Sequence, residues 1–121
     1  KDLYWLELSG HQITDISALN GKTKLMHLEL DNNQISDISP LSQCRSLERA
    51  FLKNNRITSV EPLAKLTTLT SLYLQNNRIT DVTPLAGLKN LKNLYLSGNS
   101  ITDYSPLKYI YPQLIGKDFY V

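Results

Sequence analysis

The chain has 121 residues, of which 41% are hydrophobic and 20% charged, with a formal net charge of +2. This length fits one domain with a core of useful size, and the small net charge gives no support for a nucleic-acid partner or a charged membrane surface. Cys44 is the only cysteine, so an intramolecular disulfide is excluded. No apolar run reaches the ~20 residues of a membrane-spanning helix, so no membrane insertion is expected.

The sequence repeats itself every 22 residues through five units without insertion or deletion. Three columns of the repeat are Leu8, Leu30, Leu52, Leu74 and Leu96; Ile13, Ile35, Ile57, Ile79 and Ile101; and Leu19, Leu41, Leu63, Leu85 and Leu107. A single unit cannot bury its own leucines, so we expect the units to stack around one continuous core. We assign residues 1–107 to five repeats, the first of them incomplete at its start.

Each unit is predicted to open with a short strand, because apolar and polar residues alternate around its Leu-x-Leu pair. Gly or Asn follows at positions 10, 32, 54, 76 and 98, which indicates a tight corner with a left-handed backbone. Four asparagines come one position later and are expected to form a structural ladder that satisfies backbone groups; they are Asn33, Asn55, Asn77 and Asn99. His11 takes the same position in the first unit as a structural substitute.

The second half of each unit is predicted to form a short 3₁₀ turn. An acidic or hydroxyl residue precedes the turn and can cap it; these residues are Asp15, Asp37, Ser59, Asp81 and Asp103. Four units then carry a proline whose fixed φ suits such a turn, namely Pro40, Pro62, Pro84 and Pro106. The strands of successive units are expected to pair as a parallel sheet on the other face.

The unit L-x-x-L-x-L-x-x-N-x-I, as in residues 69–79, resembles the 22-residue leucine-rich repeat. The stretch NNQISDISPL, residues 32–41, is similar to the repeats of bacterial internalins and internalin-like surface proteins. The resemblance implies a right-handed α/β solenoid with short parallel strands on its concave face and 3₁₀ turns on its convex face. It also implies a non-catalytic domain that binds proteins through the concave face and lies outside the cell or on the bacterial surface, although a cytoplasmic location stays open.

The residues between the strand leucines should point from the sheet onto the concave face. One column of these residues places Phe51, Tyr73 and Tyr95 on adjacent strands, close enough for their rings to touch, and exposed aromatic clusters mark interaction sites. Acidic residues lie beside them, which suits a protein or peptide with basic and apolar parts. The predicted contact residues are Phe51, Tyr73, Tyr95, His27, Glu29, Arg49, Trp5 and Asp31.

Three other interpretations remain open at this point. The stacked rings would also support the sheet through cross-strand contacts, so the chain is alternatively a spacer or assembly domain of a larger secreted or cell-wall protein. An intracellular phosphatase regulator shares the 22-residue period, but the SDISPL wording at residues 36–41 argues against it. Trp5 lies on the edge strand and is expected to cover that edge or an upstream cap.

The sequence offers no constellation for catalysis. His11 and His27 are the only histidines, and one histidine with one or two carboxylates falls short of a zinc site, so no metal is expected. Cys44 falls in a mostly apolar column and is read as a buried small hydrophobe without a neighbouring base. No glycine-rich phosphate loop is present, and no cofactor is expected.

A solenoid exposes its core at both ends of the array unless other residues cover it. Residues 108–121 are assigned to a C-terminal capping segment, with one residue inserted before Leu114. The side chains expected to cover the open end are Tyr109, Tyr111, Leu114 and Phe119. The segment from Lys1 to Leu8 is predicted to be an uncapped strand that continues upstream or pairs at its edge with another copy of an otherwise monomeric chain.

Overall fold

The computed structural model describes residues 2–121, in which short strands alternate with 3₁₀ turns. The strands are β1 (Trp5–Glu7), β2 (His27–Glu29), β3 (Arg49–Phe51), β4 (Ser71–Tyr73), β5 (Asn93–Tyr95) and β6 (Gly116–Lys117). The observed first strand is shorter than the predicted one from Lys1 to Leu8, because β1 comprises only Trp5–Glu7. Lys1 itself lies outside the described residues.

All six strands form one parallel sheet whose order follows the chain. Trp5 pairs with His27, His27 with Arg49 and Arg49 with Ser71, so the strand pairing keeps the 22-residue step of the sequence. This register confirms the predicted solenoid of leucine-rich repeats. Side chains that are equivalent in successive units therefore lie next to one another across the sheet.

The return path of each unit contains a 3₁₀ turn, as predicted. The turns are Ser17–Leu19, Ser39–Leu41, Glu61–Leu63, Thr83–Leu85, Ser105–Leu107 and Tyr111–Gln113. At the first turn, Asp15 accepts a hydrogen bond from the backbone N–H of Ser17 at 2.8 Å. At the third turn, the Ser59 hydroxyl accepts one from the backbone N–H of Glu61 at 3.2 Å. Within residues 2–121 no helix is long and apolar enough to cross a membrane.

The core lies between the sheet and the turns and consists of the predicted leucine, isoleucine and valine columns. Leu28, Leu72 and Leu94 of the strands are completely buried, and so is Cys44. Burial of one such leucine contributes about 1.5–3 kcal/mol. In the first unit Leu8 and Ile13 are only partly buried, because a core side chain needs a coil on each side to enclose it.

The corner after each strand has the left-handed backbone that the Gly and Asn residues predict. The φ angles are 75° at Gly10, 60° at Asn32 and Asn54, 59° at Asn76 and 75° at Gly98. A left-handed φ strains most side chains, and Gly and Asn adopt it at least cost. The corners therefore confirm the sequence prediction.

The three corner asparagines also bond to one another, which the sequence analysis did not anticipate. The side-chain amide of Asn54 donates to Asn32 Oδ1 at 2.6 Å, and that of Asn76 donates to Asn54 Oδ1 at 2.8 Å. We call these three residues the outer asparagine row. The row ends at Gly98, where an added Cβ would collide with the Asn76 side chain.

The second asparagine of each corner forms the inner asparagine ladder, which comprises Asn33, Asn55, Asn77 and Asn99. Asn55 shows the pattern: its Oδ1 accepts the N–H of Ile35 at 3.0 Å, and its Nδ2 donates to the carbonyl groups of Leu30 at 3.0 Å and Leu52 at 3.1 Å. Each asparagine thus ties its own coil to the preceding one. In the first unit His11 is exposed, and among residues 2–121 its ring bonds only the carbonyl group of Ser9 in its own coil.

The C-terminal segment adds a sixth strand to the sheet. Gly116 pairs with Asn93, a step of 23 residues, which agrees with the predicted one-residue insertion. The Phe119 ring stacks on Tyr104 with a centroid separation of 5.0 Å, and the Tyr111 hydroxyl donates to the Phe119 carbonyl at 3.2 Å. Leu114 and Phe119 are buried as expected.

The prediction for Tyr109 is wrong, because this side chain is 83% exposed. Tyr109 shares its column with Gln43 and Lys65, which also face solvent. The turn continues in register through this residue, so its ring points outward while Ile110 enters the core.

Candidate functional site

The structure brings all eight predicted contact residues to the same face of the sheet, which we call the concave face. They lie at alternate positions along β1 to β5, except Asp31, which lies two residues beyond β2. Phe51, Tyr73, Tyr95, Glu29, Arg49 and Asp31 are half-buried. Trp5 is 54% exposed, whereas His27 is only 5% exposed. His27 therefore lies beneath the surface that a partner would contact.

Three rings of the central column stack as their spacing predicts. The centroids of Phe51 and Tyr73 are 4.6 Å apart with an interplanar angle of 6°, and those of Tyr73 and Tyr95 are 5.1 Å apart with an angle of 7°. Both separations are near the distance between neighbouring strands, so the sheet itself sets the stack. Partial burial raises the pKa of the Tyr73 hydroxyl, with a smaller contribution from Tyr95.

Gly116 gives the last ring of this stack its space. A Cβ at this position would collide with the Tyr95 hydroxyl and with the Asn93 side chain, both of which reach over β6. The stack therefore ends above a strand that presents no side chain at that point. No repeat pattern signals this glycine, because β6 lies beyond the regular units.

Two further rings extend the stack toward β1. Trp5 stacks on His27 with centroids 3.7 Å apart, and His27 lies 5.5 Å from Phe51 in a tilted arrangement. We call Trp5, His27, Phe51, Tyr73 and Tyr95 the aromatic row; it crosses β1 to β5. The 22-residue separation of Trp5 and His27 placed them side by side, but the tilt that links His27 to Phe51 depends on side-chain rotation that a repeat pattern does not contain.

Polar groups fix the β1–β2 end of the aromatic row. His27 Nε2 lies 2.7 Å from Glu29 Oε2, and Arg49 Nε donates to His27 Nδ1 at 3.0 Å. Trp5 Nε1 donates to Glu7 Oε2 at 2.7 Å, while the Arg49 guanidinium lies 5.7 Å from the centre of the indole ring. The buried imidazole thus has a partner for each nitrogen.

Asp31 contributes to the contact between coils as well as to the surface of the site. Its Oδ1 accepts the N–H of Lys53 at 2.7 Å, which links two neighbouring coils. Burial raises the pKa of the Asp31 carboxyl, and the Lys53 N–H bond opposes this effect. Of the acidic side chains at this end, Glu7 is the most accessible, because it is exposed whereas Glu29 and Asp31 are half-buried.

The same end contains a group of potential metal ligands. One ligand atom each from Glu7, His27 and Glu29 lie within 4.8 Å of one another. Arginine keeps its protons in proteins, so His27 Nδ1 must be the acceptor of the Arg49 bond, and Nε2 carries the proton that Glu29 accepts. Neither ring nitrogen then has a free lone pair for a metal ion. The residues are arranged as a hydrogen-bonded network instead.

The turn side of the molecule has a groove of about 680 Å³ between the second and third units. Its lining includes Ser39, Arg45, Ser59 and Lys65, and among the residues that line it there is no histidine or cysteine. Cys44 is buried with its sulfur 3.7 Å from the Leu19 carbonyl, and burial raises the pKa of the thiol. A thiol in this state is a poor nucleophile.

Two descriptions of leucine-rich repeats match the sequence. The model for two copies of the repeat matches residues 45–87 and 67–109, and the model for a single repeat matches residues 24–45. No curated protein sequence matched the chain.

Solved structures of bacterial proteins are similar to the chain over nearly its whole length. Internalin C2 from Listeria monocytogenes is 40% identical with a TM-score of 0.91, over 95% of this chain and 50% of its own. The internalin inlF of the same species is 35% identical, with the same TM-score, over 98% and 35%. A Leptospira interrogans protein with these repeats is 28% identical with a TM-score of 0.83, over 94% and 30%. The chain thus spans half or less of the length of each of these relatives. It belongs to the leucine-rich repeat family and is internalin-like.

Proposed function

We propose that the chain is a non-catalytic module for protein–protein interaction and that its concave face binds a protein or peptide. The observation that carries this proposal is the aromatic row on one face of a regular sheet, in which every ring except the buried His27 is at least partly exposed. Aromatic anchors dominate the energy of many interfaces, with about 2 kcal/mol or more for each hot-spot residue. The similarity to internalins supports the same reading.

The arrangement of charge indicates the chemistry of the partner. Glu7 and Glu29 lie on β1 and β2, while Phe51 and Tyr73 lie on β3 and β4. A partner that suits this face carries a basic side chain and an apolar group roughly 10 Å apart, which is about two strand spacings. Complementary charge at one end would fix the direction in which the partner lies across the strands.

The rigidity of the face supports binding rather than catalysis. Backbone pairing holds every strand, and the asparagine ladder ties consecutive coils together. A surface ordered before binding loses little conformational entropy when a partner arrives. The described groups supply positioning and contact area, and the proposed mechanism needs no bond to be made or broken.

The proposed location is outside the cell or on the bacterial surface. The similarity to internalins from Listeria monocytogenes supports this location. The partner would then be a protein that the cell meets at its surface.

One observation favours a second function, that of a spacer or assembly domain. The rings of Phe51, Tyr73 and Tyr95 are nearly parallel and half-buried, which is also the arrangement of side chains that stabilise a sheet through cross-strand contact. In that case the rings contribute to stability and have no ligand.

Replacement of the three stacked rings by serine separates the two functions. We expect the variant F51S/Y73S/Y95S to lose at least about 100-fold in affinity for the partner, because two or more anchors are removed. The partner would be recovered with the immobilised chain from surface and secreted fractions, and its affinity measured by calorimetric titration. Recovery alone would not count as support.

A matched triple variant on the turn side serves as the control. Gln43, Lys65 and Lys89 are exposed there, and their replacement by serine should leave the affinity unchanged. Tyr73→Phe keeps the stacked ring and removes only the hydroxyl. If the three serine replacements on the concave face lower the free energy of unfolding but leave the affinity within threefold of wild type, the spacer function is correct.

A further inference from the structure

His27 joins the aromatic row to the charged groups of the concave face. Its ring stacks on Trp5 of β1 at 3.7 Å and is 5.5 Å from Phe51 of β3. Its two nitrogens bond Glu29 of its own strand and Arg49 of β3. Only 5% of the residue is exposed, so its bonds cannot be exchanged for water without movement of a neighbour.

The bond from Arg49 requires a neutral imidazole. The guanidinium keeps its protons, so Nδ1 can accept from Arg49 Nε only while Nδ1 itself is unprotonated. A second ring proton would place two N–H donors and two positive charges 3.0 Å apart. The other charged groups nearby are Glu29 on β2, Glu7 on β1 and Glu48 just before β3.

Arg49 has another acceptor within reach. Its Nη1 lies 3.7 Å from Glu48 Oε1, and both side chains are more than a third exposed. The ring has no such freedom, because Trp5 covers one face and Glu29 holds Nε2 at 2.7 Å. When the bond to Arg49 breaks, Arg49 is therefore the group that moves.

We infer that His27 is a proton-operated latch: protonation of its ring releases the Arg49 side chain, which turns toward Glu48 and solvent. Histidine is the side chain that ordinarily changes charge between about pH 5 and pH 8. The latch is closed when the ring is neutral and open when the ring is charged.

Opening of the latch changes the electrostatics of the concave face. The Trp5–Arg49 end gains the charge of the imidazolium, while the Arg49 guanidinium turns toward Glu48 and solvent. A basic group of a partner then meets a less negative surface and binds more weakly in mild acid. This consequence rests on the proposed function, whereas the latch itself is a property of the unbound chain.

Nuclear magnetic resonance of the free chain tests the latch directly. The sample is titrated from about pH 8 to about pH 5, and the Arg49 Nε–H and the His27 ring resonances are followed together. We expect the Arg49 resonance to shift with the same midpoint as the His27 ring. An Arg49 resonance that stays constant while His27 titrates would overturn the inference, and so would a ring that remains neutral throughout.

Two histidine variants complete the experiment. His11 is the only other histidine and is exposed, so His11→Gln should leave the Arg49 shift in place. His27→Gln should abolish it, and a shift that persists in this variant contradicts the latch; if the variant does not fold, the wild-type titration decides alone. Because no partner takes part, a negative result leaves binding by the concave face intact, and a failure of the ring replacements to affect binding leaves the latch intact.

Discussion

Two adjacent asparagines in the third corner have different roles. Asn55 is buried and its side chain bonds four backbone groups, those of Ile35, Leu30, Leu52 and Lys53. Asn54 supplies the left-handed φ of 60°, and its side-chain amide bonds the side chains of the corner residues Asn32 and Asn76. Loss of the first leaves buried backbone groups without a partner, and loss of the second exposes a few polar atoms to water.

These roles predict unequal effects on stability. Asn55→Ala should lower the free energy of unfolding by about 3 kcal/mol, because each buried group left unpaired costs about 1–3 kcal/mol and the site relaxes in part. Asn54→Gly should cost less than about 1 kcal/mol, since glycine adopts the same φ and already occupies this position at Gly10 and Gly98. Urea denaturation of both variants measures the difference, and equal losses would contradict the assignment.

Single residues also show where a repeat pattern stops being informative. The pattern placed His27 and the corner asparagines in their columns, because a fixed period determines which residues become neighbours. It could not determine which way a side chain rotates. The burial of His27 under Trp5 and the bonds of the outer asparagine row both depend on that rotation.

The 3₁₀ turns are the elements whose stability should depend on pH. Four aspartates that precede the turns accept hydrogen bonds from the residue two positions later, which lower the pKa of their carboxyl groups below the ordinary 3.8. The bond from the backbone N–H contributes most for Asp15 and Asp37. The bond from the hydroxyl group contributes most for Asp81 and Asp103. The unfolded chain therefore binds protons first as the solution becomes acidic. The stabilisation is complete well above pH 3.8 and disappears as the pH falls through the folded-state values.

We expect the urea midpoint to fall as the pH is lowered from about 5 to about 2.5. Asp37→Asn and Asp81→Asn keep an acceptor oxygen and remove the titrating group, so the double variant should show a shallower decline than the wild type. Asp31 acts with the opposite sign, because burial raises the pKa of its carboxyl. An unchanged slope in the double variant would show that the turn aspartates do not contribute.

The strand β6 shows that the 22-residue repeat does not predict the structure at the end of the array. The insertion before Leu114 was visible in the sequence, but the added strand β6 was not, since two residues carry no alternation. Asp118 provides another example: its carboxylate accepts the N–H groups of Leu96 at 2.7 Å and Ser97 at 3.1 Å. In earlier units a backbone carbonyl of the next strand takes the corresponding position, as Glu29 does for Leu8.

On the scale of the whole molecule, the array is a one-dimensional stack in which each coil contacts only its neighbours. Strand pairs and turn pairs that touch are consecutive ones, from β1 with β2 to β5 with β6. The stability of such an array is approximately a sum over coils and over the interfaces between them. The fold could be predicted from the sequence because five nearly identical units all specify the same coil, whereas the partner depends on residues that differ from unit to unit.

This architecture predicts that the same substitution has different effects at the centre and at the edge. Leu72 of β4 is completely buried between two coils, whereas Leu6 of β1 is only partly buried and has a described coil on one side. Leu72→Ala should therefore cost about 3–4 kcal/mol and Leu6→Ala about 1 kcal/mol, because the cost of a large-to-small change grows with the contacts and the cavity involved. Urea denaturation gives both values. Hydrogen exchange adds a stricter criterion: the loss of protection in Leu72→Ala should spread from β4 to the coils on both sides, while the loss in Leu6→Ala stays in the first two coils. Equal losses of protection along the sheet in both variants would mean that the array unfolds as one unit, and that the nearest-neighbour description is wrong for a stack this short.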